Sequence, residues 1–438
     1  MSISIPQLNT PWPLLQKVFF RFFCIYFILY NAPWDWLADI PGMSYGLGLY
    51  HNFMEWSVIA ANRQFFQVFH VKEVQQVYNG SGDTSFDWAS NYLLLCVGVT
   101  VALIWSVIDR KRGGYRQLNY LLCLLLRYTL AITAFAYGIQ KVFALQMPFP
   151  MLSQLATPLG DLLPMRFSWL FIGYSTPYEI FSGVMEVFAA LLLLYRRTAT
   201  MGTLVATAVF INVMMLNLCY DIPVKLYSIN LVLMCLYLMV NESERILCFF
   251  VLNRPAGICA VYHYPLTKKW MRITRMVLKL GIFIMMGQSF YGAFQYSREV
   301  ATATENKNFK SGVYDVVNYV VNNDTIPALL TDTLRWQDLI IETNGMGSIQ
   351  TKDSSFRRRY GRGYFSFTVD TLQPIVNFKK NMQDSVDLFS FYYLQPDSNT
   401  IQLRGLKNND SLFIELRRSN RHFQLAEKQF HWLSEANR

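Results

Sequence analysis

Two glutamates lie within an apolar stretch that is long enough to cross most of a lipid bilayer. The stretch runs from Pro177 to Arg197, and Glu179 and Glu186 are seven residues apart, on one face of a helix. An acid deep in hydrocarbon is costly unless it has a partner or stays protonated. Such a residue can hold a polar headgroup or a quinone, or carry a proton. The alternative is a buried ion pair that only fixes helix packing.

Arg127, in the preceding apolar stretch, is the partner that the sequence suggests for Glu186. Counted from the inner ends of their helices, both lie about ten residues deep, roughly 15 Å at the rise of an α-helix. Asn212 and Asn230, on the next two helices, fall at a comparable depth. We therefore expect four consecutive helices to place polar groups in one layer, with Arg127 and Glu186 in contact.

A second polar layer is expected nearer the outside. Lys141 ends the third apolar helix, and Glu179 begins the fourth. Asp221 follows the fifth helix, and Lys225 begins the sixth. These four side chains could converge on a pocket that is open to the outside. Alternatively, the lysines reach the headgroups and the acids mark ordinary helix ends.

The composition indicates a membrane protein with several spans. Of the 438 residues 53% are hydrophobic and only 16% are charged, which is too apolar for an ordinary soluble protein. The net charge of +10 is concentrated beside apolar stretches, where basic residues set the orientation of the spans. We therefore expect the lipid bilayer as a partner and no nucleic acid.

The hydropathy pattern predicts about seven membrane-spanning helices. They cover residues 16–31, 89–108, 117–143, 178–195, 200–218, 224–240 and 273–293. An amphipathic helix at 49–68 could lie at the membrane interface. Basic clusters beside the spans predict that the N-terminus is cytoplasmic and that the C-terminal part of the chain is outside.

The last third of the chain is polar, and its short alternating runs predict an all-β domain of roughly seven strands, either a barrel or a sandwich. The predicted strands are Val313 to Val321, Trp336 to Glu342, Gly363 to Val369, Leu388 to Leu394, Thr400 to Leu403, Ser411 to Leu416 and His422 to Leu425. Its densest charge run is Arg357 to Arg362, which could bind anionic lipid or a partner, or simply form a solvated hairpin. The domain could hold a small apolar ligand or dock another protein.

Several kinds of chemistry find no support in the sequence. The chain has seven cysteines but no CxxC, so a dithiol site is not expected. The five histidines do not recur at ligand spacing, so no metal site is predicted. No phosphate-binding loop, dinucleotide fingerprint or nucleophile elbow occurs.

The stretch around Lys141 and Glu186 resembles the DoxX family of four-helix membrane proteins. The resemblance covers about 115–240 and rests on loose motifs: Gly138-Ile139-Gln140-Lys141 at a helix end, Glu179, Gly183 and Glu186 on the next helix, and the basic stop Arg196-Arg197. It implies a bacterial inner-membrane protein linked to sulfur and quinone redox complexes, with Lys141, Glu179 and Glu186 as pocket residues. The chain departs from any thiol-based member because it has no cysteine pair. A more distant similarity is to the fold of membrane-embedded carboxylases.

The domain organisation follows from these expectations. It comprises N-terminal helices with an aromatic outer loop (1–114), a DoxX-like four-helix core (115–240), a cytoplasmic loop with the last helix (241–295), and a periplasmic β domain (296–438).

The expected function is an accessory membrane subunit that binds a lipid-soluble, quinone-like ligand or supports a redox or envelope complex, with a protein partner bound by the β domain. One alternative is an oxidoreductase in which Glu186 carries the proton and Lys141 orients a ligand oxygen, although its electrons would need a bound cofactor. Another alternative is a purely structural assembly protein. The candidate ligand-binding residues are Arg127, Lys141, Glu179, Glu186, Asn212, Asp221 and Lys225.

Overall fold

The chain divides into two units of tertiary structure. We call Met1–Gln146 with Pro177–Ala293 the helical unit, and Met147–Thr176 with Phe294–Arg438 the barrel unit. The structure, a computed structural model, describes residues 11–32, 42–77, 82–255, 268–302, 309–329, 332–370, 372–407, 409–427, 430–433 and 435.

The apolar stretches of the helical unit form the predicted helices. They are α1 (Leu14–Tyr30), α2 (Met43–Ala61), α3 (Ser85–Ile108), α4 (Arg116–Val142), α7 (Thr176–Leu194), α8 (Ala199–Cys219), α9 (Lys225–Asn241), α10 (Ser243–Phe250) and α11 (Lys269–Thr302). The barrel unit contributes α5 (Leu152–Leu155), α6 (Pro164–Tyr174) and α12 (Gln424–Glu427).

Five of the described helices are long and apolar enough to cross a membrane, judged by length and composition. They are α3, α4, α7, α8 and α11, while α9 is apolar but shorter. The interfacial helix expected at 49–68 begins earlier, at Met43, and ends at Ala61. These helices indicate that the protein is associated with a membrane. The count of seven spans and their orientation stay predictions.

One stripe of α4 determines how closely its neighbours can approach. Leu122, Leu126, Leu130, Ala134 and Gly138 are buried and four residues apart, so they lie along one side of the helix. Side-chain size falls along this stripe from leucine to alanine to glycine. The leucines belong to an apolar core that also includes residues of α1, α7, α8 and α9. The glycine end of the stripe permits the closest contact between backbones.

The β domain is a closed antiparallel barrel of eight strands, with two short strands attached. Its strands are β1 (Gly312–Val321), β2 (Asp324–Thr325), β3 (Asp338–Ile341), β4 (Met346–Ile349), β5 (Arg357–Arg359), β6 (Arg362–Val369), β7 (Ile375–Lys379), β8 (Phe389–Asp397), β9 (Thr400–Lys407) and β10 (Asp410–Arg418). The path runs β1-β3-β4-β6-β7-β8-β9-β10, and pairing of β10 with β1 closes it.

The barrel confirms one of the two predicted architectures, and it corrects the strand list. His422 to Leu425 was expected to be a strand, but Gln424–Glu427 is a short helix. The strands β4 and β7 were not predicted. β4 has only four residues and contains Gly347, so it carries too few alternating apolar residues to be recognised.

Aromatic side chains fill the interior of the barrel. Trp336 is fully buried, and its ring lies 5.8 Å from that of Phe356 and 6.2 Å from those of Phe389 and Phe391, centroid to centroid. An eight-stranded barrel has an interior that is just wide enough for its own side chains. This packing argues against the alternative that the barrel interior holds an apolar ligand, and the docking role stays a prediction.

The outer face of β3 is covered by the Met147–Thr176 segment, which belongs to the barrel unit and not, as predicted from the sequence, to the four-helix core. Alternation along β3 directs Leu339 and Ile341 into the barrel core, while Ile340 packs with Ala156 on the other face. All four residues of β3 are buried for this reason.

A buried polar network lies on the same outer face. Arg362 pairs with Asp338 and donates to Ser348 Oγ over 2.8 Å. The hydroxyls of Ser348 and Ser153 are also 2.8 Å apart, and Ser153 donates to Glu342 from its amide and its hydroxyl. Each polar group buried here therefore has a partner, as stability requires.

The basic run Arg357 to Arg362 is a hairpin with two different parts. Arg357–Arg359 are exposed on β5, and the turn is formed by Tyr360 and Gly361, both with positive φ (53° and 71°). Arg362 belongs instead to the buried network. Of the four arginines in this run, only the three of β5 are exposed.

Candidate functional site

The candidate site is built on a close contact between two glycines. A Cβ on Gly138 would lie 2.9 Å from the carbonyl oxygen of Gly183, and a Cβ on Gly183 would lie 2.6 Å from the carbonyl oxygen of Gly138. Real Cβ atoms do not come this close, so α4 and α7 meet here only because both positions are glycine. Small residues allow the same close approach in membrane helix pairs generally.

Each glycine precedes a charged residue by three positions, which places both on one side of their helix. Lys141 follows Gly138 on α4, and Glu186 follows Gly183 on α7. Lys141 Nζ donates a hydrogen bond to Glu186 Oε1, and the two residues are only 6% and 1% exposed. The result is a buried ion pair that is fixed by the helix contact beside it.

One oxygen of this pair remains available. Glu186 Oε2 is buried, and no hydrogen bond reaches it from any described residue. An ionised carboxylate has about four acceptor positions, and a buried one that is only partly used is unfavourable. Glu186 can therefore accept a hydrogen bond from a hydroxyl group of a bound molecule. Lys141, with three donors, can also donate to an oxygen of that molecule.

The expected contact between Arg127 and Glu186 is wrong. Glu186 pairs with Lys141, which lies fourteen residues after Arg127 on α4, or about 21 Å along the axis at 1.5 Å per residue. The Arg127 guanidinium lies 5.1 Å from the centroid of the neighbouring Tyr128 ring, and its Nε is buried without a hydrogen bond to a described residue. The prediction from the sequence failed because it assumed that the inner ends of α4 and α7 lie at the same depth.

The predicted layer of polar groups is not formed either. Asn212 is exposed on α8. Asn230 is buried, but its side-chain oxygen Oδ1 accepts a hydrogen bond from Tyr26 Oη over 2.7 Å. Its side-chain nitrogen Nδ2 donates to the backbone carbonyl oxygen of Leu226 over 2.9 Å. Asn230 thus belongs to a different cluster, with a tyrosine of α1. That tyrosine was not among the candidate residues.

The four residues of the second predicted layer lie in different surroundings. Glu179 is fully buried in the first turn of α7, on the face that also carries Gly183 and Glu186. Lys225 Nζ lies 2.8 Å from Asp221, whose side chain is 80% exposed. Among the described residues, no hydrogen bond or ion pair links Lys225 or Asp221 to Lys141 or Glu186. The structure therefore places Glu179 and the Lys141–Glu186 pair at buried positions of α4 and α7, and pairs Lys225 with Asp221 instead.

Asp83 contacts the start of α9, and the sequence did not predict this contact. From the sequence either Asp83 or Thr84 could cap α3, and Thr84 is the residue that does so, in a capping box with Asp87. Asp83 instead accepts hydrogen bonds from the amides of Lys225 (2.6 Å) and Leu226 (2.9 Å), at the start of α9. A carboxylate here satisfies amides that the helix itself leaves unpaired. No local spacing could have indicated a cap from so distant a part of the chain.

Comparison with known proteins identifies a relative of part of the chain. The chain is 34% identical over 133 residues to "Uncharacterized protein YwoB" of Bacillus subtilis (strain 168), and the match covers 28% of this chain and 79% of that protein. No protein-family model matches the chain, and no solved structure matches it. At this identity and coverage the relationship is clear: the chain belongs to the same protein family as YwoB of Bacillus subtilis.

Proposed function

We propose that this protein is an accessory membrane subunit that holds a lipid-soluble ligand beside the Lys141–Glu186 pair, and that the ligand is a quinone. The observation that carries the proposal is the buried Glu186 Oε2, which accepts no hydrogen bond from a described residue. Ionisable groups within apolar helices are functional candidates by default, because their cost must be offset. The resemblance to the DoxX family is part of this proposal and motivates the choice of a quinone.

The chemistry of the pair suits both redox states of such a ligand. A quinone presents carbonyl oxygens, which accept hydrogen bonds from the Lys141 ammonium group. A quinol presents hydroxyl groups, which donate to Glu186 Oε2. In the apolar surroundings of the pair these hydrogen bonds are stronger than in water. The alternative is that the pair binds neither form and only fixes the packing of α4 against α7. The experiment below distinguishes ligand binding from this packing role.

The location proposed for the protein is the bacterial inner membrane, with the N-terminus in the cytoplasm and the barrel in the periplasm. The basic clusters beside the spans support this orientation. We also propose that the barrel unit docks an acidic protein through the exposed Arg357–Arg359 hairpin. Replacing these three arginines by glutamine should abolish cross-linking of the barrel to its partner in membranes. Unchanged cross-linking would exclude the hairpin.

Co-purification tests the quinone proposal. The full chain is purified in detergent, and its quinone is extracted and quantified by mass spectrometry. We expect retained quinone in the wild type, and an at least tenfold loss in Lys141→Met/Glu186→Leu, which removes both charges at similar volume. Glu244→Gln, an exposed acid on α10, is the control and should retain quinone.

The outcomes discriminate among three functions. Quinone at wild-type level in the double variant would mean that the ion pair only fixes packing. Turnover of the bound quinone with an added electron donor would favour a membrane oxidoreductase over an accessory subunit. Wild-type protein without quinone would overturn the proposal.

A further inference from the structure

A second feature of the helical unit is a cavity of about 570 Å³. It lies among the C-terminal end of α1, the middle of α2, the first turns of α3 and the start of α9. Its volume is within the range of small-molecule sites, about 300–1,000 Å³. It is distinct from the Lys141–Glu186 pair, and neither of those residues lines it.

The cavity wall combines aromatic rings with acids. Tyr30, Tyr50, Phe86, Tyr137 and Tyr227 contribute the rings. Glu55, Asp83 and Asp87 contribute carboxyl groups, while His51 is the one basic side chain among the described lining residues. Aromatic faces together with a carboxylate are the surroundings that attract an organic ammonium group.

Glu55 is the acid that remains for a ligand. Both oxygens of Asp83 are used by the amides at the start of α9, and Asp87 is used in the capping box of α3. Glu55, half-buried on α2, forms no hydrogen bond or ion pair with any described residue. The hydroxyl oxygen of Tyr50 is also buried without a partner in the described part of the chain. The cavity thus has two unused polar groups on neighbouring turns of α2.

We infer that this cavity binds an organic ammonium group, with Glu55 as its counter-charge and the tyrosine rings as its walls. A quaternary or primary ammonium is stabilised both by the ring faces and by the carboxylate. The Tyr50 hydroxyl can bond to a hydroxyl or ester oxygen beside the cation. The cation can come from a lipid headgroup or from a free amine. This inference does not depend on the quinone proposal.

Titration with choline tests the charge requirement. The full chain is placed in phosphatidylglycerol nanodiscs and titrated with choline by calorimetry. 3,3-Dimethylbutan-1-ol, a neutral molecule of the same shape, is titrated in parallel. We expect choline to bind at least tenfold more tightly than the alcohol. Glu55→Gln should remove this preference. Glu73→Gln, a 70% exposed acid paired with Arg63 that does not line the cavity, should keep it.

The aromatic contribution has its own variants. Tyr30→Phe keeps a ring face and should bind choline within about twofold of wild type, whereas Tyr30→Leu should weaken binding about fivefold to tenfold. This ordering separates a cation–π contact from simple filling of space, because leucine and phenylalanine both keep the wall apolar.

The source of the cation is tested with lipid. Native mass spectrometry after reconstitution with phosphatidylethanolamine should show retained lipid in wild type but not in Glu55→Gln if the headgroup is the natural occupant. Choline affinity unchanged by this lipid would instead support a free amine. Equal affinity for choline and the alcohol, unaltered binding in Glu55→Gln, or no binding of either choline or phosphatidylethanolamine would overturn the inference.

Discussion

Gly138 faces Glu186 across the contact of α4 with α7, such that a Cβ on Gly138 would lie 3.0 Å from the Cβ of Glu186. The relation is reciprocal, because a Cβ on Gly183 would lie 2.8 Å from that of Lys141. Each glycine therefore makes room for the base of the charged side chain on the other helix. Two short motifs, Gly-x-x-Lys and Gly-x-x-Glu, thus form one structure when the helices pack.

Replacing Gly183 by alanine should destabilise the helical unit. The new methyl group would meet the backbone of α4, which cannot move without disturbing its buried stripe. Such overpacking costs about 1–3 kcal/mol. Gly281→Ala is the matched control, because a Cβ at Gly281 meets nothing within 4 Å and alanine favours the helix. Thermal unfolding in detergent, followed by helical circular dichroism, should show a lower midpoint for the first variant only. Equal midpoints would mean that the helices are not in contact at this position.

Breaking the ion pair from one side should cost more than removing it completely. Lys141→Met leaves the Glu186 carboxylate buried without a counter-charge, and such changes cost about 3–5 kcal/mol. Lys141→Met/Glu186→Leu removes both charges and should recover most of this loss. The same unfolding measurement compares the two. A double variant less stable than the single one would contradict this expectation, because the loss would then not come from the unpaired Glu186 carboxylate.

Asp83→Ala should loosen the start of α9. The carboxylate accepts from two α9 amides, and loss of a helix cap costs about 1–2 kcal/mol. Asp221→Asn is the control, because it removes an exposed charge whose pairing contributes about 0.5 kcal/mol, and asparagine tolerates the positive φ of this position (51°). Hydrogen exchange of peptides covering 224–230 should accelerate in the first variant and stay near wild type in the second. Equal exchange in both would argue against capping by Asp83.

The stability of the barrel should fall in acid because of Asp353. Burial of Asp353 raises the pKa of its carboxyl group, but hydrogen bonds from Lys407 and from the amide of Ser355 outweigh this effect, so the pKa is lowered overall. A lowered folded-state pKa contributes stability above the unfolded-state pKa, about 4 for aspartate, and this contribution is lost as the pH falls through the folded-state value.

Asp353→Asn should lack that part of the acid dependence. Urea unfolding of the full chain is monitored by hydrogen exchange of β9 and β10 peptides. At pH 7 the free energy of unfolding of wild type should exceed that of the variant, and this gap should narrow below pH 4. A gap that is constant with pH would contradict the assignment.

The sequence predicts the helices well and their relative depth poorly. Long apolar stretches identify α3, α4, α7 and α8, because a helix that crosses a membrane needs about 20 predominantly apolar residues. The partner of Glu186 could not be read by counting from helix ends, because a glycine contact determines which residues face each other. Asn212 shows the same limit, since depth along a helix does not tell which side a residue faces.

The strands of the barrel differ in how clearly their sequences show the alternation of apolar and polar residues. Alternation is clearest in β10, where Leu412, Ile414 and Leu416 are buried in the core and Glu415 and Arg417 lie on the other side of the strand. It is lost in β3, where Ile340 is buried against Ala156 on the outside. The covering segment Met147–Thr176 is far from β3 in the chain, so no local pattern in β3 predicts that its outer face is buried.

The most direct test of the account is to map where a quinone binds. A photoreactive quinone analogue is irradiated with the full chain in nanodiscs, and the labelled peptides are identified by mass spectrometry. We predict labels within 138–142 of α4 and 183–187 of α7, with competition by unmodified quinone and at least tenfold less labelling in Lys141→Met/Glu186→Leu. Labels confined to other helices, or equal labelling in that variant, would contradict a ligand site at Lys141 and Glu186.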